Sequence, residues 1–359
     1  MPQTTKTRLL LLSDTHTTPP APAHSSASST PYRTPLPNAQ ILLHAGDITK
    51  VGLYHEHVSM LEILESHPAE LKIVIAGNHD ITLDEDYYNN VGWRRHRYRA
   101  PGGRDHLAKL PDPNFTREVG TGAEPGLGLE EPTKIEELYT SPEAVAHGIC
   151  YMEEEIRTFT LPSTGAKFTV YASPYTPEFC AWAFAYPRSE DRFNPSLSGA
   201  AKAAATPIPD YPGVDICLTH GPPYGILDQV VGSGESVGCE HLYRAVRRAR
   251  PALHVFGHIH EGYGVRRVEW DTQPQSQSKL TSTFGPGNGV KKVDEVPWDR
   301  EDVMDERGAY IDLTSGSGRP LRRGEETVFV NASVVTVEYK GLNAPWVVDL
   351  DLEVDESLR

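Results

Sequence analysis

Five short polar blocks stand out in this sequence because each one closes a run of apolar residues. In chain order they are Asp14-Thr15-His16, Gly46-Asp47, Gly77-Asn78-His79-Asp80, Thr219-His220-Gly221-Pro222-Pro223 and Gly257-His258-Ile259-His260. Together they hold three aspartates, one asparagine and five histidines. Carboxylates, imidazoles and an amide carbonyl form a mixed oxygen and nitrogen ligand set that suits manganese, iron or zinc. The blocks therefore predict a site for two adjacent divalent metal ions, and hydrolysis is the leading hypothesis.

The chemistry of such a site suggests roles for individual residues. Two metals roughly 3.5–4 Å apart can hold a hydroxide for in-line attack on a phosphate and can stabilise both the attacking and the leaving oxygens. Asp47 is the natural bridge, because one carboxylate can give an oxygen to each metal. His79 directly follows Asn78, and histidine can give up a proton near neutral pH. We therefore take His79 as the first candidate for the general acid.

Each block also has an ordinary structural interpretation. An isolated Asp-x-His or Gly-Asp is common in turns and caps, and His220 before Gly-Pro-Pro could be a hydrogen-bonded histidine at a strand end. The ordered set favours metal binding, because all five blocks end apolar runs. Strand side chains also alternate, which would place Asp14 with His16, and His258 with His260, on shared faces.

Rigid elements must bring these blocks together, and the sequence pattern predicts them. Short, nearly continuous apolar runs are typical of strands that helices cover on both faces. Such runs occupy residues 8–12, 41–44, 71–76, 214–218 and 253–256. Amphipathic helices are predicted over 54–66, ended by Pro68, and over 239–249, ended by Pro251. The alternation indicates βαβ units, which gather ligands at the carboxyl ends of their strands.

The C-terminal third has a different character. Residues 327–330, 334–339 and 346–352 are predicted as strands without long helices between them, and 168–171 is a further candidate. We interpret these strands as a second sheet packed on the first.

The whole chain, residues 1–359, is predicted to form one domain rather than two. Three stretches rich in Pro, Gly, Ser or Gln interrupt it and are interpreted as surface loop insertions. They are residues 17–38, 102–131 and 271–300.

The composition limits which partners the protein is expected to bind and where in the cell it is expected to lie. The 359 residues carry a formal net charge of −15, which disfavours non-specific binding to nucleic acids. A small phosphate ester remains a suitable substrate, because bound dications would reverse the local field. The four cysteines are scattered, which fits reduced thiols and a cytoplasmic location. No apolar run approaches the length of a transmembrane helix, so no membrane partner is predicted.

The ordered blocks resemble the calcineurin-like metallophosphoesterase superfamily, whose pattern is Asp-x-His, Gly-Asp, Gly-Asn-His-Asp/Glu, His and Gly-His-x-His. Within it, the chain is most similar to the metallophosphoesterase-domain-containing (MPPED) branch. The likeness spans most of the chain outside the three insertions. The segments that carry it are 46–49, 171–177, 182–184, 218–223, 256–264 and 330–333.

This resemblance implies a mixed α/β fold, a four-layer αββα sandwich in which two mixed sheets are flanked by helices. It also implies two overlapping metal sites and a proton donor, His79. The first site would consist of Asp14, His16, Asp47 and His260. The second would consist of Asp47, Asn78, His220 and His258. The implied activity is hydrolysis of a phosphoric ester.

One departure from relatives narrows the substrate. Protein Ser/Thr phosphatases of the superfamily extend the second block to Gly-Asp-x-Val-Asp-Arg-Gly, in which the Asp orients the catalytic histidine and the Arg grips phosphate. This chain has Lys50 and Val51 at those positions. That argues against a protein phosphatase and leaves open what orients His79. Because the MPPED-like branch includes cyclic-nucleotide phosphodiesterases, a small phosphodiester is favoured, with cyclic nucleotides as the lead class and a phosphomonoester as the alternative.

The basic, aromatic-flanked run over residues 93–99 has two interpretations. It could clamp a phosphate or nucleotide, since arginine binds phosphate bidentately and an aromatic ring can stack on a base. It could also be a solvated helix face that balances the acidic residues 84–86, as most charge runs are. Similarly, Tyr175, Trp182 and Phe184 are either the wall of a substrate pocket or ordinary core aromatics.

Two other functions remain open. The chain could keep this fold as a binding or scaffold protein with little catalysis, although its complete ligand set argues against that. It could also be a nuclease of the same superfamily, which the net charge disfavours. The sequence sets neither the metal identity, the natural substrate nor the oligomeric state.

Overall fold

The structure is a computed structural model, and it describes residues 3–23, 30–97, 130–195, 206–271, 289–298, 300–338 and 342–358. The strands are β1 (Thr4–Leu12), β2 (Ile41–Ala45), β3 (Leu71–Ile75), β4 (Ile149–Tyr151), β5 (Glu155–Thr160), β6 (Ala166–Ser173), β7 (Thr176–Pro177), β8 (Ala185–Tyr186), β9 (Ile216–Thr219), β10 (Leu253–Phe256), β11 (Gly264–Trp270), β12 (Val290–Glu295), β13 (Ala309–Asp312), β14 (Glu326–Asn331) and β15 (Trp346–Val354). The helices are α1 (Tyr54–Ser66), α2 (Glu85–Tyr87), α3 (Trp93–Arg97), α4 (Pro132–Thr140), α5 (Pro142–Ala146), α6 (Glu240–Ala249) and α7 (Arg300–Glu306).

The apolar runs form strands that are buried on both faces, as predicted. In β1, Leu9 and Leu11 lie in one hydrophobic cluster while Leu10 and Leu12 lie in another. This alternation follows from the two-residue period of a strand, which turns successive side chains to opposite faces. A continuous run of leucines therefore satisfies a strand with apolar layers on both sides.

Hydrogen bonds join thirteen strands in the order β12-β11-β14-β10-β9-β6-β15-β1-β2-β3-β4, with β13 beside β15 and β5 beside β6. The sheet divides into two halves. The first half contains β1 to β4, β13 and β15, and the second half contains β5, β6, β9 to β12 and β14. The halves are linked by a short antiparallel pairing of β15 with β6, between Glu353 and Lys167 and between Val354 and Ala166.

Three hydrophobic clusters show how the layers stack. One cluster lies between the halves and takes residues such as Leu11 from the first and Val170 from the second. Another joins the outer face of the first half to α1 and α4, for example through Met60. A third joins the second half to α6 through Leu242. The order is helix, sheet, sheet, helix, which confirms the predicted four-layer αββα sandwich.

Two predictions about the C-terminal strands were wrong. Residues 334–338 form no strand, because the backbone of Val334 bonds instead to the carbonyl of Ser13 beside the end of β1, at 2.9 Å. The last strand, β15, lies in the first half rather than in a second sheet as predicted, and only Glu353 and Val354 pair with β6 of the second half. It pairs antiparallel with β1 along Thr4 to Leu11, where its apolar residues are covered on both faces.

The three predicted insertions differ in what the structure shows of them. Residues 102–129 lie outside the described residues. Within 17–38, Tyr32 is fully buried. The segment 271–300 contains an edge strand, β12, which pairs antiparallel with β11. In the part of the chain that the structure describes, no helix is long and apolar enough to cross a membrane.

Candidate metal centre

The turns that follow β1, β2 and β3 of the first half meet those that follow β9 and β10 of the second half. Parallel strands place their carboxyl ends at one edge of a sheet, and packing the halves face to face brings the two edges together. All seven predicted ligands lie in these turns. They are Asp14, His16, Asp47, Asn78, His220, His258 and His260.

The turns, rather than the strands, aim the ligands. The prediction that Asp14 and His16, and likewise His258 and His260, would project from the strands themselves was wrong, because β1 ends at Leu12 and β10 at Phe256. Asp14, His16 and His258 have φ values of 51°, 44° and 66°, and Asp47 has 52°. Non-glycine residues in this left-handed region carry strain, which is characteristic of functional sites.

The first group of predicted ligands is compact. Atoms of Asp14, His16, Asp47 and His260 that can ligate a metal all lie within 4.8 Å of one another. Nε2 of His16 is 3.5 Å from Oδ2 of Asp47 and 3.3 Å from Nε2 of His260. Nε2 of His260 is also 3.3 Å from Oδ1 of Asp14. These four residues have ligand types that suit a divalent metal, and they lie close enough together that they could hold one.

The second predicted group adjoins the first through Asp47. Nε2 of His220 lies 3.4 Å from Oδ1 of Asp47 and 2.9 Å from Oδ1 of Asn78. The ring of His258 lies 5.0 Å from that of His220, centroid to centroid. The two carboxylate oxygens of Asp47 therefore face different imidazoles, His16 on one side and His220 on the other. This arrangement suits a bridging carboxylate.

Backbone carbonyls set which nitrogen of two histidines faces the centre. Nδ1 of His16 is 3.2 Å from the carbonyl oxygen of Thr49, and Nδ1 of His220 is 2.8 Å from that of Ala45. Because a carbonyl only accepts, Nδ1 carries a proton in both rings and Nε2 is turned toward the ligand cluster. Histidine ligands of metals are commonly oriented in this way.

Burial and charge set the protonation of the cluster. Burial opposes ionisation of Asp47, but the imidazoles of His220 and His79 outweigh it and hold its pKa well below the usual range. Burial lowers the pKa of His16 to about 3 and that of His258 to about 3. For His220, burial acts in the same direction, but Asp47 overcomes it and the pKa rises to about 9.

Asp14 is held by Ser333, to which the sequence assigned no role, and by the backbone of His258. Its Oδ2 accepts a 2.8 Å hydrogen bond from Oγ of Ser333, and the backbone N–H of His258 donates to the same carboxylate at 3.0 Å. A Cβ at Gly257 would overlap this carboxylate, so the close approach requires glycine. Asn331 accepts from Ser333 and donates to the carbonyl of Ile259 at 2.8 Å. The segment 330–333 had been noted only as part of the family likeness.

Asp80 connects two of the ligand turns. Its buried carboxylate accepts hydrogen bonds from the N–H groups of Ile48, Thr49 and Gly77 and from the hydroxyl of Thr49, at 2.6–3.1 Å. Burial and the charge of Asp47 nevertheless raise its pKa to about 7. Asp80 thus fixes the turn that carries Asp47 against the turn that carries Asn78, and it does not orient the neighbouring His79.

His79 is oriented by a carbonyl and by an aromatic ring. Its Nδ1 donates to the backbone oxygen of Lys50 at 2.8 Å, and its ring stacks on Trp182 with centroids 4.1 Å apart and planes 25° apart. Lys50 therefore contributes its main chain where protein phosphatases use an Asp side chain. Trp182 lies at the site, whereas Phe184 is buried in the hydrophobic core.

The basic run over 93–99 is not simply a solvated face in its described part. Trp93 and His96 are buried, and the guanidinium of Arg95 lies over the ring of Trp182. The side chains of residues 97–100 lie outside the described part.

A four-layer αββα sandwich with this cluster of aspartates, asparagine and histidines at its strand ends defines the metallophosphoesterases as a structural class. No family model matches the chain. Over 289 residues, it is 33% identical to metallophosphoesterase domain-containing protein 1 of Homo sapiens and of Mus musculus, which covers 80% of this chain and 71% of either relative. The chain belongs to the MPPED branch of the calcineurin-like superfamily.

A third relative differs in size. Probable rhamnogalacturonate lyase C of Emericella nidulans is 31% identical over 267 residues, which are 74% of this chain but 18% of that protein. The similarity is therefore confined to one part of a much longer protein. Family membership indicates a phosphoric ester hydrolase, and the buried Asp/His cluster suggests divalent metal binding.

Proposed function

We propose that this protein is a phosphoesterase dependent on two divalent metals, and that it hydrolyses a small phosphodiester, with cyclic nucleotides as the lead class. A phosphomonoester is the alternative substrate. The observation that carries the proposal is the position of Asp47, whose two oxygens face His16 and His220 at 3.5 Å and 3.4 Å. One carboxylate between ligands from both halves of the sandwich is what a pair of adjacent metals requires.

The residues fit the proposed metals in number and type. Asp14, His16, Asp47 and His260 would hold one ion, and they form the compact cluster described above. Asp47, Asn78, His220 and His258 would hold the other. When bound, two such ions supply an activated water and Lewis-acid stabilisation of the phosphoryl oxygens. Manganese, iron and zinc all accept this donor set, so the proposal does not depend on one of them.

The chain itself supplies the proton for the leaving group in this proposal. Nδ1 of His79 is committed to the Lys50 carbonyl, which leaves Nε2 as the atom that can donate to a departing alkoxide. Its backbone N–H donates to Oδ1 of Asp47 at 2.8 Å, so the proton donor is fixed to the proposed bridging ligand. This hydrogen bond fixes the backbone of His79 beside Asp47 and leaves the orientation of the ring to other contacts.

The wall around the site supports a small ester. Val51 is buried at the position where protein phosphatases carry a phosphate-binding arginine, so no cation reaches the site from there. Trp182 already contacts His79 and Arg95, which makes it a poor platform for a nucleobase. If a cyclic nucleotide is the substrate, its base must bind elsewhere on the wall.

The experiment is elemental analysis of the purified full-length protein, with hydrolysis assays on the same sample. We expect close to two metals per chain and turnover of bis-p-nitrophenyl phosphate and 3′,5′-cyclic nucleotides. Asp47→Asn should lose metal and reduce turnover by at least about a thousandfold, because it removes the shared carboxylate. Asp349→Asn is the matched control, since this aspartate pairs with Arg8 in β1 rather than with a ligand.

Each alternative function has its own outcome. Metal without turnover of any ester would favour a scaffold protein. A DNA affinity that falls steeply with salt, together with cleavage, would favour a nuclease. Absence of metal even after addition of manganese would refute the proposed site.

The cytoplasmic location is part of the same proposal. It rests on the four cysteines, all of which have free thiols. Reduced cysteines are typical of a reducing compartment.

A further inference from the structure

A stack of three side chains ends at the proposed proton donor. The imidazole of His79 lies against the indole of Trp182, and Cζ of Arg95 lies 3.6 Å from the centroid of the same indole. The three residues come from separate parts of the chain: the turn after β3, helix α3 and the loop between β7 and β8. Their convergence links the basic run to the catalytic end of the sandwich.

Hydrogen bonds fix the outer end of this stack. The guanidinium of Arg95 donates to the carbonyls of Cys180 and Ala181 at 3.0 Å and 2.9 Å, and to the hydroxyl of Tyr87 at 2.9 Å. Those carbonyls directly precede Trp182. Arg95 therefore holds both the backbone and the ring of Trp182, and a cation over an indole is itself a favourable contact.

The same loop is tied to the neighbouring helix. The N–H of Phe184 donates to Oδ2 of Asp84 at 2.8 Å, and Tyr87 donates to the carbonyl of Ala181 at 2.8 Å. Cys180 and Ala181 each have a φ of 50°, which turns the backbone sharply just before the indole. The loop thus has several independent anchors, and Trp182 is presented on a rigid support.

The Lys50 carbonyl fixes only one atom of the His79 ring, Nδ1, and leaves rotation about that hydrogen bond open. The indole restricts this rotation, because stacking sets the plane of the imidazole. We propose that Trp182 and Arg95 are positioning residues that hold Nε2 of His79 toward the leaving group. This inference rests on the proposed function, and in it an arginine and a tryptophan share with the Lys50 carbonyl the task that protein phosphatases give to an aspartate.

The test compares two esters that differ only in their leaving group, methyl phenyl phosphate and methyl p-nitrophenyl phosphate, with manganese-loaded full-length protein. The more basic phenolate depends more on a proton donor. We expect Trp182→Ala to lower kcat about tenfold for the phenyl ester and about twofold for the nitrophenyl ester, a part of what a general acid contributes. Arg95→Ala should show the same selectivity to a smaller extent, and Trp182→Phe should restore most of the loss.

A double-mutant cycle then asks whether Trp182 acts through His79. In a His79→Ala background, which should retain its metal, adding Trp182→Ala should cause no further loss. Phe179→Ala is the matched control, because this side chain lies in the same loop and is 62% exposed. The proposal would be overturned by equal losses of kcat on both esters or by additive losses in the double mutant. A raised KM with unchanged kcat would also overturn it, and would mean that the stack binds substrate instead.

A readout independent of turnover separates this inference from the proposed function. The Nδ1 proton of His79 should give a downfield NMR resonance that disappears in His79→Ala. It should broaden or vanish in Trp182→Ala and persist in Trp182→Phe and Phe179→Ala. If the wild-type protein hydrolyses neither ester, the proposed function fails, while a resonance unchanged in Trp182→Ala would refute the positioning itself. Should Trp182→Ala fail to fold, Arg95→Ala and Trp182→Phe carry the same comparisons.

Discussion

The two halves of the sandwich bring chemically different ligands to one end of the molecule. The first half supplies two carboxylates, an amide and one imidazole, namely Asp14, Asp47, Asn78 and His16. The second half supplies three imidazoles, namely His220, His258 and His260. Neither half contains a complete ligand set for two metals. The predicted site therefore exists only where the halves pack together.

His220 differs from His16, Asp47 and His258 in its protonation at neutral pH. The pKa of Asp47 is held well below its usual range, and burial lowers the pKa of His16 to about 3, so both can ligate at once. His220 has a pKa raised to about 9, and its two ring nitrogens face the carbonyl oxygens of Ala45 and Asn78. Metal binding must therefore displace a proton from His220, but not from Asp47 or His16, nor from His258, whose pKa burial lowers to about 3.

The largest expected effect comes from removing one histidine from each half. We expect His16→Ala and His220→Ala each to lose about one metal per chain and to lower turnover at least about a thousandfold, since both ions act on the same phosphate. Elemental analysis and ester hydrolysis on the same samples provide the measurement. His55→Ala is the control, because this histidine is exposed on α1. Full metal occupancy in His220→Ala would mean that the second half contributes nothing essential.

The next largest effect is a pH dependence of metal binding, which should distinguish His220 from the candidate ligands that are already deprotonated. A ligand must be deprotonated to bind, so below about pH 9 each ion that binds His220 releases one proton. Apparent affinity at this site should rise up to about tenfold per pH unit between pH 6.5 and 9. Isothermal titration with manganese in buffers of different ionisation enthalpy measures both the affinity and the proton release. An affinity independent of pH would contradict the raised pKa of His220.

As the pH rises, the stability of the metal-free protein should fall, in the opposite direction to its affinity for metal. The raised pKa of His220 means that its protonated form stabilises the folded state fully below its ordinary value of 6.5. That contribution is lost as the pH rises from 6.5 toward 9. Thermal melting of the metal-free protein over this range, compared with His220→Ala, isolates the contribution of this one residue.

Much of the architecture could be predicted because it follows from local pattern. Apolar runs such as 8–12 and 253–256 must be buried on both faces, and the period of 54–66 matches α1. Local pattern does not predict which strand pairs with which. Residues 346–352 carry Asp349 and Asp351 among apolar side chains, and nothing local says that β15 pairs with β1. Pairing across more than 300 residues is decided by packing of the whole chain.

The candidate site likewise has a part that the sequence predicted and a part that it did not. Residue type and order pointed to the seven candidate ligands and to His79, because metal chemistry restricts which side chains can serve. The supporting contacts carry no such signature. Every residue has a backbone carbonyl, so the sequence does not single out that of Lys50 as the partner of His79. Ser333 is likewise one serine among many, and only the fold places it beside Asp14. Positive φ at Asp14 was equally invisible in the sequence.

Substitution of Ser333 should have the smallest effect on metal binding. It compares the two halves most directly, because Ser333 follows β14 of the second half and donates a hydrogen bond to Asp14 of the first. We expect Ser333→Ala to weaken metal binding at the Asp14 group about tenfold, as loss of a ligand's hydrogen-bond partner commonly does. Binding at the His220 group should change less than about twofold. Titration with manganese resolves two affinities, and Ser59→Ala on the exposed face of α1 is the control. Equal weakening of both affinities would mean that Ser333 holds the halves together rather than orienting one carboxylate.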